Sequence, residues 1–437
     1  MTRVLDAELL AAVSRAVEAQ LGLHYPPERW ADLERGLRGA AEELGFDSLE
    51  KCARTLAFGG FERAQIDALA GQLTIGETYF FRDPAAFKTL TMQIVPALVA
   101  EKRDRTKRLR IWSAGCCTGE EPYSIAIALQ ESLPDIGEWQ VTILGTDINP
   151  RFLATAAAGI YGPWSFRGVP EETRRAWFRT LPDGRWEVVP RIREMVTFAY
   201  VNLVEDGWPS HATQTSAMDL IFCRNVLMYF SRERGQRVVA SLCRALVAEG
   251  RLMVSTTETA RELFTGFDAP EIPGVALFRK SAPAPATPPP PAAAAGRPAQ
   301  PPAPELPRDH AADARRLADE GRLDSALAAC DRALAANQLV AAHHYLRGII
   351  LQEQNKPEAA IVALRRALGL DSAFTLAHFT LGHLLLRQGR PADAARCFVQ
   401  ARALLRSCAP ETVLPESEGL TAGRLLTMLA TLENTLV

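Results

Sequence analysis

The stretch Arg110–Leu129, RIWSAGCCTGEEPYSIAIAL, decides how the chain is read. Leu109, Ile111 and Trp112 form a short apolar run, Gly115 and Gly119 bracket a turn, and the apolar positions beyond it recur at helical spacing. Pro122 falls in the first turn of the predicted helix, where a missing N–H costs nothing. The stretch therefore predicts strand, tight turn and helix. In an open α/β sheet such a turn presents backbone N–H groups to a ligand at the strand's carboxyl end. Cys117 stands where the middle glycine of a G-x-G-x-x-G would be, so a strand-to-helix turn with no ligand stays open as the alternative.

Working outward, VTILGTDINP (Val141–Pro150) predicts a second buried strand ending at Asp147, an acid placed to accept hydrogen bonds from ribose hydroxyls. Its other reading is a cap on the next helix, a task that Asn149 with Pro150 can perform instead. MDLIFCRNVLMYF (Met218–Phe230) predicts a strand with Arg224 and Asn225 at its end and Tyr229 four residues on. Polar groups at that edge suit a ligand site, and core filling is the alternative for Tyr229. Met195–Val201 predicts a strand ending at Asn202 and Leu203, while GRLMVSTTE (Gly250–Glu258) and VALFRK (Val275–Lys280) complete the sheet. Between Gly159 and Val201, PDGR (Pro182–Arg185) beside Trp186, Val188 and Val189 predicts a hairpin in a small β-rich insertion.

Upstream, LTIGETYFFRDPAAF (Leu73–Phe87) joins three aromatics to Arg82 and Asp83. Arg82 offers a planar charged fork suited to a carboxylate, and an ion pair with Asp83 or a neighbouring acid is its alternative. Leu9, Leu10, Val13, Val17 and Leu21, then Leu33, Leu37 and Leu44, predict a helical start. Arg29, Arg35 and Arg38 there form either a face toward an acidic partner or a solvated face.

The 437 residues, 48% apolar and 23% charged, suit two or three globular domains. No apolar run approaches the ~18 residues of a membrane span, and acids in MTRVLDAELL oppose a signal peptide. A cytoplasmic protein with no integral membrane segment is expected. Eight cysteines without C-x-x-C and seven histidines without H-E-x-x-H predict neither a metal site nor a disulfide framework. A net charge of −2 argues against nucleic-acid binding, despite the basic cluster Arg103–Arg110.

The motifs TIGETYFFRD, WSAGCCTGEEPYSIA, GTDI, VNL and IFCRNVLMYF, in this order across roughly residues 5–280, resemble the chemotaxis-receptor glutamate O-methyltransferase (CheR) family. The resemblance implies an N-terminal helical subdomain at 1–72. It implies a class I S-adenosylmethionine-dependent methyltransferase, a Rossmann-like α/β sheet, at 73–280 with its β-subdomain at about 160–195. Carried over position by position, it assigns Gly76, Thr78, Arg82, Glu121, Asp147, Asn202, Leu203, Arg224 and Asn225 to the cofactor, with Gly76 where the family often has asparagine. Arg82 and Tyr229 are then the catalytic pair bordering the transferred methyl. The implied partner is the cytoplasmic domain of a methyl-accepting receptor, whose glutamates become methyl esters as S-adenosylhomocysteine forms. A glutamate is already ionised at pH 7, so the displacement needs no general base and the task is positioning.

Beyond Lys280, residues 281–307 are mostly proline and alanine, a linker that reaches on the order of 80 Å if fully extended. A 34-residue period follows: Gly321, Asn355, Gly389 at one phase, Ala326, Ala360, Ala394 at another, Ala333, Ala367, Ala401 at a third. It resembles about three tetratricopeptide repeats over 308–409, an all-α domain expected to bind a further protein or peptide. Within 410–437, Leu420–Leu436 predicts a terminal helix covering the last repeat, and the protein is expected to be a monomer. Two other readings stand beside the methyltransferase: a dinucleotide-dependent oxidoreductase, from the glycine turn and Asp147, and a non-catalytic repeat scaffold.

Overall fold

Periodic leucines build the first layer of this computed structural model, which describes residues 5–59, 62–210, 213–268, 272, 274–281, 309–417 and 419–434. In α1 (Ala7–Leu21) the predicted Leu9, Leu10, Val13, Val17 and Leu21 are buried, and Asp6 caps the helix by accepting from the Leu9 N–H at 2.7 Å. α2 (Trp30–Glu43), α3 (Leu49–Arg54) and α4 (Arg63–Leu73) close one apolar core with it, around Leu33, Leu37, Leu56 and Leu69. The Tyr25 hydroxyl donates to the Leu73 carbonyl at 3.1 Å and fixes where the chain leaves this subdomain. α5 (Pro84–Thr89) and α6 (Val95–Lys102) then lead to the sheet.

The opening stretch forms β1 (Arg108–Ala114), a turn, and α7 (Glu120–Ser132). β2 (Gln140–Asp147) and α8 (Pro150–Ala158) follow. The insertion comprises β3 (Ile160–Tyr161), α9 (Glu171–Trp177), β4 (Phe178–Thr180), β5 (Trp186–Val188) and α10 (Pro190–Arg193). β4 and β5 make the antiparallel hairpin predicted at PDGR, in a three-stranded sheet ordered β3-β5-β4. β6 (Val196–Tyr200), β7 (Met218–Phe222), α11 (Arg232–Ala245), β8 (Leu246–Val254), β9 (Phe267–Asp268) and β10 (Ala276–Lys280) complete the domain.

The main sheet has seven strands in the order β6-β2-β1-β7-β8-β10-β9. β6, β2, β1, β7 and β8 are mutually parallel, and β10 is antiparallel to both neighbours. Strand order reverses between β1 and β7, and the crevice outside a carboxyl edge opens at such a reversal. β1 and β2 pair without slip from Arg108 opposite Gln140 to Ala114 opposite Thr146, which delivers Gly115 and Asp147 to that edge side by side. Every β1 residue is buried, as a strand covered on both faces requires.

The chain divides into two units, Met1–Lys280 with Phe398–Val437, and Ser281–Cys397. The repeat region reads as helix pairs at the predicted period: α12 (His310–Asp319) with α13 (Leu323–Ala336), α14 (Ala341–Glu353) with α15 (Pro357–Leu370), then α16 (Thr375–Arg387) and α17 (Pro391–Arg406), inside which the division falls. Ala326, Ala333, Ala360 and Ala367 are buried where helices cross. At Gly348 an added Cβ would stand 2.8 Å from Leu364 Cγ, so that crossing needs glycine. The linker at 281–307 lies outside the described residues apart from Ser281.

The terminal helix forms as α18 (Ala422–Asn434), belongs to the sheet unit and packs against β6 and α8. Its apolar period demands a buried face without naming the surface that buries it, and β6 is an edge strand that a helix can cover. Among the described residues no helix is long and apolar enough to cross a membrane.

Candidate functional site

The turn after β1 is held by its own backbone. Gly115 and Cys116 both donate their N–H to the Thr146 carbonyl at 2.8 Å, and Cys117 donates its N–H to Asp147 Oδ2 at 2.9 Å. Gly115, Cys117 and Gly119 have positive φ, and a Cβ on Gly119 would stand 2.8 Å from Ala156 Cβ. Glycine is therefore required where α7 begins against α8. With these three N–H groups committed and Glu120 and Glu121 opening α7, the turn is poorly suited to a phosphate. The oxidoreductase reading is therefore not favoured.

Above the turn lies a cavity of about 540 Å³, within the size range of small-molecule sites. Thr78, Arg82, Glu121, Asp147, Asn202, Leu203, Arg224, Asn225 and Tyr229 all line it, so sites spread from residue 78 to 229 meet in one place. Gly76 does not, although its neighbours Ile75 and Glu77 do. A Cβ at Gly76 would stand 2.8 Å from Phe152 Cζ, and Phe152 is itself a lining residue. The ring occupies the space an asparagine would need, which departs from the expectation that position 76 contacts the cofactor.

Asp147 is buried, and burial pushes its carboxyl up to about 6 despite N–H donation from Asn149 to Oδ1 at 2.9 Å and from Cys117 to Oδ2. Asn149 itself caps α8 by accepting from the Arg151 N–H at 3.0 Å, so capping does not consume Asp147. Arg224 is a nearly buried hub. It donates Nη1 to the Arg82 carbonyl and to Glu121 Oε2, both at 3.0 Å, and Nη2 to Asp83 Oδ2 at 3.1 Å. Ser113 Oγ donates to the other Glu121 oxygen at 2.8 Å. Asp83 thus pairs with Arg224 and caps α5, leaving Arg82 to donate to the Glu77 carbonyl at the cavity wall.

The Arg82 loop is fixed from both sides. The Phe80 N–H donates to the Ser165 carbonyl and the Phe81 N–H to Ser124 Oγ, each at 2.9 Å. The Phe80 ring lies within 5.0 Å of the rings of Tyr161, Phe166 and Phe178, tying the loop to the insertion. Phe81 and Asp83, the residues flanking Arg82, both have positive φ. Such strain persists only where surrounding contacts over-determine it. Across the cavity, burial raises the Tyr229 phenol, while the charges of Arg29 and Arg82 act in the opposite direction.

Two roles were not read from sequence. Glu258 accepts from the N–H groups of Asn225 at 2.7 Å, Met228 at 3.2 Å and Ser255 at 3.2 Å, so it shapes the Arg224–Tyr229 loop from behind. The S-x-x-E capping box Ser255–Glu258 was the available signal. Asn202 spends both Nδ2 hydrogens on protein, donating to the Gln20 carbonyl at 2.8 Å and Glu205 Oε1 at 2.9 Å. Its Oδ1 accepts from the Val204 N–H at 3.3 Å.

The sequence profile of the CheR methyltransferase SAM-binding domain matches residues 76–272. Chemotaxis protein methyltransferase 1 of Pseudomonas aeruginosa is 34% identical over 228 residues, 51% of this chain and 79% of that protein. A chemotaxis protein methyltransferase of Vibrio parahaemolyticus is 31% identical over 263 residues, 58% of this chain and 90% of that one. The "Probable biofilm formation methyltransferase WspC" of Pseudomonas aeruginosa is 29% identical over 370 residues, 77% of this chain and 85% of its own. With a domain profile matched across the sheet and relatives matched over most of their length, the chain belongs to the CheR family of S-adenosylmethionine-dependent methyltransferases.

Proposed function

We propose that the protein esterifies glutamate side chains on the cytoplasmic domain of a methyl-accepting receptor, with Arg82 steering the substrate carboxylate. S-adenosylmethionine, when bound, supplies an activated methyl on a sulfonium. The cavity suits a cationic, phosphate-free nucleoside: it has two acids, Asp147 and Glu121, an apolar wall including Ile148, Phe152 and Leu203, and a turn with its donors committed. Asp147 would accept from the ribose hydroxyls, and Glu121, oriented by Arg224 and Ser113, would pair with the amino group. Arg82 holds one carboxylate oxygen pair by its fork, and Tyr229 donates its phenol proton to one of these oxygens. Charge is lost as anion meets cation, so a water-poor site favours the step.

The observation that carries this reading is Arg82 at the cavity wall, on a loop that positive φ on both flanks, Phe80 packing and Arg224 hold in place. Methyl transfer from labelled cofactor to receptor, read as base-labile ester, tests it. Arg82→Lys removes the two-pronged fork and is expected to lower kcat/KM for receptor about 10–100-fold. Ester formation unchanged in Arg82→Lys refutes the assignment. The repeats bind a protein partner that localises the enzyme, which works as a cytoplasmic monomer. The alignment with the biofilm relative is longer than the sheet domain alone, which favours a receptor system of that kind.

A further inference from the structure

The segment that returns after the repeats touches the loop carrying Asn202. Chain leaving β6 runs through Val201, Asn202 and Leu203, all cavity-lining, and turns at Glu205–Trp208. Arg424, in the first turn of α18, is only 5% exposed. Its Nη1 donates to the Asp206 carbonyl and lies 3.5 Å from Glu205 Oε2. The other Glu205 oxygen accepts from Asn202 Nδ2 at 2.9 Å, and the Glu205 N–H donates to the Asn202 carbonyl at 3.2 Å. A continuous polar path thus runs from α18 through one carboxylate to the cavity wall.

Backbone shape supplies a second, independent observation. Gly207 and Gly419 both have positive φ and meet face to face. A Cβ on Gly207 would stand 3.1 Å from the Gly419 carbonyl carbon and oxygen and from the Leu420 nitrogen. Two chain segments approach this closely only through glycine. Beside Gly419, Ser417 Oγ lies 2.6 Å from the Leu414 carbonyl and 3.0 Å from the Leu420 carbonyl, sharing its one proton between them. Leu425, Met428 and Leu429 of α18 are buried as well.

We infer that Arg424 is a positioning residue of the methyltransferase site, holding Asn202 and its loop against the cofactor cavity through Glu205. This rests on the reading of that cavity as the S-adenosylmethionine site. A guanidinium buried at the loop's back keeps the Glu205 carboxylate turned toward Asn202, whose second Nδ2 hydrogen is held by Gln20 of α1. The wall formed by Val201–Leu203 is thereby clamped between the first helix and the last.

The test compares full-length Arg424→Ala, Arg424→Lys, Glu205→Gln and the Arg424→Ala/Glu205→Gln double variant with wild type. Titration calorimetry with S-adenosylmethionine and steady-state methylation of receptor give Kd, KM and kcat. Losing one charge-assisted contact is expected to raise Kd and KM for the cofactor about tenfold in Arg424→Ala. kcat at saturating cofactor stays at the wild-type value, a split that general destabilisation does not produce. Arg424→Lys restores most of the affinity, and the double variant is no weaker than Arg424→Ala, because both changes cut one path. Should Arg424→Ala fold poorly, Glu205→Gln, equal in volume, carries the test through its own rise in Kd. Folded Arg424→Ala or Glu205→Gln binding the cofactor as wild type does overturns the inference and leaves the site reading intact. A wild-type chain without affinity for the cofactor overturns the site reading itself.

Discussion

Acidification from pH 7 to pH 5 is expected to weaken S-adenosylmethionine binding about tenfold through Asp147 alone. Burial places the free carboxyl at about 6. It is therefore roughly 90% ionised at pH 7 and roughly 10% at pH 5. Ribose hydroxyls donate more strongly to the carboxylate than to the neutral acid, so the complex lowers this pKa. Affinity is then full above the free value and is lost as pH falls through it. With the bound value well below 5, the affinity ratio follows the ionised fractions, about tenfold or ~1.4 kcal/mol. The cofactor's own amino and carboxyl groups titrate outside this window. Calorimetry at pH 5, 6 and 7 reads the change directly. At pH 6, repeating the titration in buffers of different ionisation enthalpy should show release of about half a proton per cofactor bound. Asp147→Asn flattens the profile. Burial also raises Glu120 and Glu258, which do not line the cavity themselves, so whatever slope persists in Asp147→Asn reports them and the difference from wild type reports Asp147. Affinity constant from pH 5 to 7, or the same slope in Asp147→Asn, refutes the reasoning.

Two further outcomes follow from the packing. Glu258→Ala strands the N–H groups of Asn225, Met228 and Ser255, and should cost about 1–3 kcal/mol in urea unfolding while weakening cofactor binding through the displaced 224–229 loop. Gly348→Ala forces α14 and α15 apart at Leu364 and should cost the repeat unit about 1–3 kcal/mol, seen by thermal melting, with S-adenosylmethionine affinity unchanged by calorimetry.

Much of the sheet was legible because its signals are local. Apolar runs bounded by turn residues gave β1, β2, β7 and β8, and PDGR gave the β4–β5 hairpin, since strand burial and turn chemistry are written within a few residues. The site was legible by motif, and Asp147 also by its place at a strand end. Partnerships were not. Arg82 and Asp83 are adjacent in sequence and read as a possible ion pair, yet Asp83 is taken by Arg224, 141 residues away. Glu258 ends a strand motif, and only the fold shows that two N–H groups of another loop, those of Asn225 and Met228, converge on it. Gly76 had a family contact to lose, and only Phe152 explains where the space went.

The terminal helix shows the same boundary with a practical consequence. Its apolar spacing predicted an amphipathic helix correctly, but nothing local distinguishes a repeat's open face from an edge strand as the surface it covers. Because α18 packs on β6 and brings Arg424 to Glu205, removing everything after Lys280 deletes two things at once: the repeats and a contact behind the cofactor wall. Lost methylation in such a truncation would not identify the repeats as the cause. Replacing Arg424 in the full chain leaves every repeat in place, and altering the exposed surface of α13 or α15 leaves Arg424 in place. Only that pair of perturbations separates docking by the repeats from support of the site by the segment that follows them.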